Sequence, residues 1–116
     1  MGCDLFKKHI RGARLNANCA GVKLNLFIAD AARIRLNSDV IITNPPYGLR
    51  IASKSATERL YKNFAKNLSN GGWERFVVMT AYGEKLKRYI GIKPMREIRI
   101  MYGDLPADIL IFRRDI

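Results

Sequence analysis

Acidic residues are scarce in this 116-residue chain, where 10 Asp and Glu stand against 21 Lys and Arg for a formal charge of +11. So large an excess points to a polyanionic partner, nucleic acid before an acidic membrane surface, with a merely solvated basic surface as the other reading. Cysteine is nearly absent too. Cys3 and Cys19 fit no metal spacing and are too few for a disulfide framework, which suits reduced thiols in a cytoplasmic protein. His9 is the only histidine, so a zinc site lacks ligands, and His9 reads as a surface residue on a helix. No apolar run approaches the roughly 20 residues of a membrane span. Asp4 precedes any apolar stretch, which argues against a secretory leader. What remains is ordinary globular composition, 48% hydrophobic and 27% charged, and that excludes the disordered and fibrous classes.

Hydrophobic periodicity orders the chain. Phe6, Ile10, Ala13, Ala17 and Ala20 recur at three- and four-residue steps, marking one face of a helix over 6–20, and Gly21 stops it. Lys7, Lys8, Arg11 and Arg14 lie off that face. A strand over 24–29 ends near Asp30. Val40-Ile41-Ile42 is a short apolar run that predicts a strand over 39–43 buried on both faces. Ser55 and Glu58 have capping-box spacing, and Leu60, Phe64 and Leu68 continue as a helical stripe over 56–69. Phe76-Val77-Val78-Met79 predicts a second buried strand over 73–80, followed by a short helix over 83–90. Alternation at 95–102, a turn at Gly103-Asp104-Leu105-Pro106 and a return at 107–113 predict a hairpin. Strands alternating with helices indicate an α/β fold with a mostly parallel sheet and an antiparallel strand at its far end. Ligands of such sheets bind beyond the carboxyl ends of the strands. Asp4, Asp30 and Asn44 fall at those ends.

One segment carries chemistry. The strand ending at Thr43 runs directly into Asn44-Pro45-Pro46-Tyr47-Gly48. Two prolines remove two backbone donors and fix two φ angles, so the loop is stiff while its carbonyls can still accept. Asn44 adds a side-chain carbonyl and Tyr47 a flat ring. Rigid acceptors beside a stacking platform suit a planar base bearing an exocyclic amino group. A proline-rich turn with a core tyrosine is the equally weighted alternative on physics alone.

Asn44-Pro45-Pro46-Tyr47 after an apolar strand resembles the amino-methylating signature of class I (Rossmann-like) S-adenosylmethionine-dependent methyltransferases. Further stretches narrow the resemblance to the THUMP-associated RNA guanine-N2 methyltransferases: Gly2-Cys3-Asp4, Ala13-Arg14-Leu15-Asn16-Ala17, Ala20-Gly21-Val22, the continuation Gly48-Leu49-Arg50-Ile51, and Tyr102-Gly103 in the hairpin. It covers nearly the whole chain. The resemblance implies S-adenosylmethionine as cofactor. It gives Asp4 the ribose hydroxyls, Asp30 the adenine amino group and Ala31 a backbone N–H to the adenine ring. Asn44, with the Pro45 carbonyl, receives the amine to be methylated. The catalytic segment is then Asn44, Pro45, Pro46 and Tyr47, with Tyr47 stacking on the base and Arg50 meeting a phosphate.

The same resemblance implies departures. A strand and glycine-rich loop expected before Asp4 are missing, as is the upstream THUMP portion. Residues 1–116 therefore read as a single, incomplete methyltransferase domain, truncated before its first strand, and self-association is one way to complete the sheet. Methylation of guanine N2 in tRNA or rRNA is the leading expectation. Adenine-N6 methylation of DNA or RNA, or a non-catalytic fragment that binds RNA or a partner chain, are the alternatives.

Overall fold

A computed structural model describes residues 1–46 and 54–114. Along them run β1 (Gly2–Asp4), α1 (Lys7–Ala20), β2 (Leu26–Ile28), β3 (Asn37–Thr43), α2 (Lys54–Ser69), β4 (Gly72–Thr80), α3 (Gly83–Ile90), β5 (Arg96–Tyr102) and β6 (Leu105–Arg113). The chain divides into two units, Met1–Ile34 and Arg35–Ile116.

The first unit is a strand–helix–strand crossover. β1 and β2 pair in parallel, with Gly2 opposite Leu26 and Asp4 opposite Ile28, and α1 makes the return that parallel strands require. α1 ends where Gly21 turns left-handed at φ 69°, and the Gly21 and Val22 N–H groups close onto the Asn18 and Ala17 carbonyls. Its buried face is narrower than the periodicity predicts. Ile10 and Ala17 are buried, but Phe6 is exposed because it precedes the helix in extended backbone. Two strands of three residues give the helix little surface to cover.

The second unit holds a four-stranded sheet in the order β3-β4-β6-β5. β3 and β4 are parallel, and β6 runs antiparallel to both β4 and β5, so β6 alone is reversed. The reversed strand was expected at the far end of the sheet, yet β5 holds the edge. The crossover through α3 carries the chain past one strand position, and the hairpin folds β6 back into it. That hairpin is tighter than expected: Tyr102 pairs with Leu105, leaving only Gly103 and Asp104 in the turn, with Gly103 at φ 63°.

Alternation decides the sheet's covered face. Phe76, Val78 and Thr80 of β4 and Leu110 and Phe112 of β6 are fully buried under Tyr61, Phe64, Ala65 and Leu68 of α2 and Leu86 of α3. The Phe76 ring stacks on Phe112 and meets Phe64 edge-on, each at 5.8 Å between centroids. The carbonyl end of α2 is closed by one nearby and one distant side-chain donor. Trp73 Nε1 donates to the Leu68 carbonyl at 2.8 Å, and the Arg114 guanidinium bonds the Leu68 and Gly71 carbonyls while lying 4.5 Å over the Trp73 ring.

Two expectations fail here. β3 is not buried on both faces: Val40 is 49% and Ile42 77% exposed, because among the described residues no element of this unit covers that side. Nor is Ser55–Glu58 a capping box. Ser55 already lies inside α2, and the Glu58 carboxylate is drawn away to Lys85 of α3.

Candidate active site

The expected cofactor carboxylates share one end of the first unit. Asp4 closes β1, and Asp30 stands two residues beyond the end of β2, whose last residue pairs with Asp4. The Ala29 N–H donates to the Asp4 carbonyl at 3.0 Å, tying the two strand ends together. Asp4 Oδ1 accepts from the Phe6 N–H at 2.8 Å and lies 3.2 Å from His9 Nδ1, so it organises the start of α1. Its Oδ2 has no hydrogen-bond partner among the described residues. Asp30 nucleates a turn: Oδ1 accepts from the Ala32 N–H at 2.9 Å, and its carbonyl accepts from Arg33 and Ile34. Arg33 Nε lies 3.7 Å from Asp30 Oδ2. Ala31 is half-buried within this turn. The half-buried Cys3 thiol, next to Asp4 on β1, is pushed up from the ordinary thiol range by burial and then by the Asp4 charge.

The acceptor segment belongs to the second unit. Asn44 follows β3 at its carboxyl end and is exposed, with no side-chain partner among the described residues. Pro45 and Pro46 are half-buried. Their carbonyls are unequal: Pro46 O accepts from the Tyr61 hydroxyl at 3.1 Å, whereas the Pro45 carbonyl has no partner among the described residues. Tyr47 and Arg50, expected to stack on a base and to meet a phosphate, lie outside the described residues. The structure thus brings Asp4 and Asp30 to one strand end and places Asn44, Pro45 and Pro46 on another unit.

Sequence reasoning missed the support of this segment. Tyr61 and Thr80 are 2% and 0% exposed, and their hydroxyls lie 2.7 Å apart. Tyr82 meets Tyr61 edge-on at 5.7 Å and, with Lys54, Lys85 and Tyr89, lines a shallow surface hollow beside it. The buried stripe of α2 is shifted from the Leu60, Phe64 and Leu68 spacing: it holds Thr57, Tyr61, Phe64, Ala65 and Leu68, while Leu60 is only half-buried.

The two expected basic stripes also separate. Lys85 pairs with Glu58, which lowers the carboxyl's pKa and raises the ammonium's through their hydrogen bond. Lys87 sits between Glu84 and Glu97, 2.7 and 2.6 Å away, and its pKa is raised by those bonds. Both lysines are therefore spent internally. Lys7, Lys8 and Arg11 of α1 are exposed and make no ion pair among the described residues.

Known proteins share both this sequence and this fold. A family model described as RMKL-like, methyltransferase domain, matches residues 1–110. The chain is 40% identical to the tRNA (guanine(6)-N2)-methyltransferase of Archaeoglobus fulgidus over 96% of this chain and 30% of that protein. It is 30% identical to the ribosomal RNA large subunit methyltransferase K/L of Psychromonas ingrahamii over 97% of this chain and 16% of that protein. Among solved structures, a possible methylase from Clostridium difficile superposes with a TM-score of 0.86 at 28% identity, covering 99% of this chain and 31% of the other. TrmN from Thermus thermophilus superposes at 0.81 with 24% identity, covering 97% and 35%, a likeness of fold. The chain spans less than a third of the length of the curated relatives named here.

Proposed function

Because the chain belongs to the RMKL-like methyltransferase domain family, we propose that it forms part of an enzyme that methylates the exocyclic N2 of a guanine in tRNA or rRNA. The observation that carries the reading is the exposed Asn44 amide at the carboxyl end of a parallel strand, which like the neighbouring Pro45 carbonyl has no partner among the described residues. Together they offer two acceptors to an NH₂ group. An amine held in this way keeps its lone pair out of the ring and aimed along one line, so positioning and electrostatics supply the catalysis and no strong general base is required. Tyr47 would stack on the base and Arg50 would meet a backbone phosphate.

The residues of the first unit suit S-adenosylmethionine. A carboxylate has about four lone-pair sites, and Asp4 spends only those on Oδ1, leaving Oδ2 for ribose hydroxyls. Asp30 keeps capacity for an adenine amino group, and the Ala31 N–H is the donor assigned to the ring. When bound, the cofactor supplies an electrophilic methyl group. The chain's own task is to hold ribose and adenine at the β1–β2 end and to orient the acceptor amine at Asn44.

The +11 charge supports an RNA substrate, as do the tRNA and rRNA enzymes among the relatives. On this reading residues 1–116 contribute to a single catalytic domain working in the cytoplasm, where the RNA is. Capture of RNA by a THUMP portion, or self-association, is the finer part of the same proposal.

Transfer of label from methyl-labelled S-adenosylmethionine tests it, with the protein to which these residues belong supplied with unmodified tRNA and rRNA transcripts or with duplex DNA. Label in RNA is expected. Label in DNA alone, or in neither, removes the reading.

A further inference from the structure

Six backbone torsions shape Asn44-Pro45-Pro46. The pyrrolidine rings fix φ of Pro45 and Pro46. Each residue before a proline is restrained to extended backbone, which limits ψ of Asn44 and Pro45. The φ of Asn44 is set where the segment leaves β3. That leaves ψ of Asn44 and Pro45 a span of about 40° each and ψ of Pro46 free, and anchoring the Pro46 carbonyl, which the last of these torsions aims, takes up the slack in all three.

The structure holds that carbonyl from outside. Pro46 O can only accept, so the Tyr61 hydroxyl donates to it, at 3.1 Å. Thr80 Oγ1 lies 2.7 Å from the same hydroxyl and accepts from the Tyr82 N–H at 3.0 Å, which leaves the threonine proton for Tyr61. The order is Tyr82 N–H to Thr80, Thr80 to Tyr61, and Tyr61 to Pro46. Hydrogen bonds chained in this way polarise one another, and burial at 2% and 0% exposure shields them from water. Tyr61 sits on α2 and Thr80 ends β4, so one hydrogen-bond chain links the strand end bearing the motif to two neighbouring elements.

We propose that Tyr61 is a positioning residue for methyl transfer: its hydroxyl, oriented by Thr80, fixes the Pro46 carbonyl and so holds Asn44 and the Pro45 carbonyl in the geometry that receives the amine. The proposal rests on the role given to Asn44 above. It also explains the division of labour along the motif. Pro46 spends its carbonyl on the scaffold, and Asn44 and Pro45 keep theirs for substrate.

Three single variants and one double variant test it. Tyr61→Phe keeps the buried ring and deletes the hydroxyl, Thr80→Val deletes the donor behind it, and Thr80→Ser keeps that donor. Two readouts are taken on each. The first is ¹⁵N relaxation of the Asn44 backbone and side-chain amides, with Phe76 and Val78 as core references. The second is kcat and KM for methyl transfer to RNA. Tyr61→Phe and Thr80→Val are expected to loosen the Asn44 amides while the references stay rigid. They should lower kcat about tenfold, the rate equivalent of one net hydrogen bond, with KM for the cofactor unchanged. Thr80→Ser should restore both, and Tyr61→Phe combined with Thr80→Val should cost no more than Tyr61→Phe alone. Asn44 amides as rigid in Tyr61→Phe as in the parent would overturn the proposal, as would unchanged kcat. If the parent protein methylates no RNA, the functional reading falls, and the relaxation result still decides whether Tyr61 holds the motif.

Discussion

Alanine at Asn44 separates chemistry from folding. The side chain is exposed and has no partner among the described residues, so its loss should move stability by no more than about 0.5 kcal/mol. The same change removes an acceptor aimed at the reacting nitrogen, and kcat should fall by about 100-fold or more. A denaturation curve and a single-turnover assay on the same preparation check both halves. A variant that keeps its turnover would show that Asn44 receives no amine. Asn44 and its prolines were readable in the sequence because their chemistry is local: a polar residue at a strand end and two fixed φ angles. Tyr61 and Thr80 were not. They lie 19 residues apart and are brought together only by the fold, and periodicity records only that a residue is apolar enough to face inward.

Elements were legible where the signal was periodic and their neighbours were consecutive in the chain. The extent of α1, its stop at Gly21 and the existence of the β5–β6 hairpin were readable, although α1 buries a narrower face and the hairpin turns more tightly than the spacing suggests. Strand order was harder, because the place of β6 between β4 and β5 depends on the path of the α3 crossover. The Ser55–Glu58 spacing misled for a similar reason: Glu58 answers to Lys85, 27 residues away. That pair clamps α2 to α3 and makes stability depend on pH in a defined way. The Glu58 pKa is lowered from 4.5, so its stabilisation is fully present above that value and is lost as pH falls through the depressed folded value. The Lys85 pKa is raised from 10.5, so its stabilisation is present below that value and is lost as pH rises through the folded one. Glu58→Gln should therefore be less stable than the parent by a constant margin between pH 4.5 and 10.5, with the margin closing on either side. Urea midpoints across pH would show it, and a margin that varies within that window would contradict the assignment.

Across the whole molecule, the charge excess divides between spent and available cations. Lys85 and Lys87 are committed to carboxylates, whereas Lys7, Lys8 and Arg11 on α1 are exposed and unpaired among the described residues. Alanine at those three α1 positions should weaken RNA binding at low salt. The slope of log K against log salt should shrink by about 0.7–0.9 for each phosphate the variant no longer neutralises, and Lys87→Ala should leave it unchanged. An unaltered slope in the α1 variant would place the phosphate-binding cations elsewhere. The central claim is the identity of the modified atom, and mass analysis of nucleosides tests it most directly. RNA incubated with the protein and methyl-deuterated S-adenosylmethionine is digested and the labelled nucleoside identified, with Asn44→Ala in parallel. The account predicts deuterated N2-methylguanosine from the parent protein and almost none from the variant; deuterated N6-methyladenosine, or undiminished N2-methylguanosine from Asn44→Ala, would contradict it.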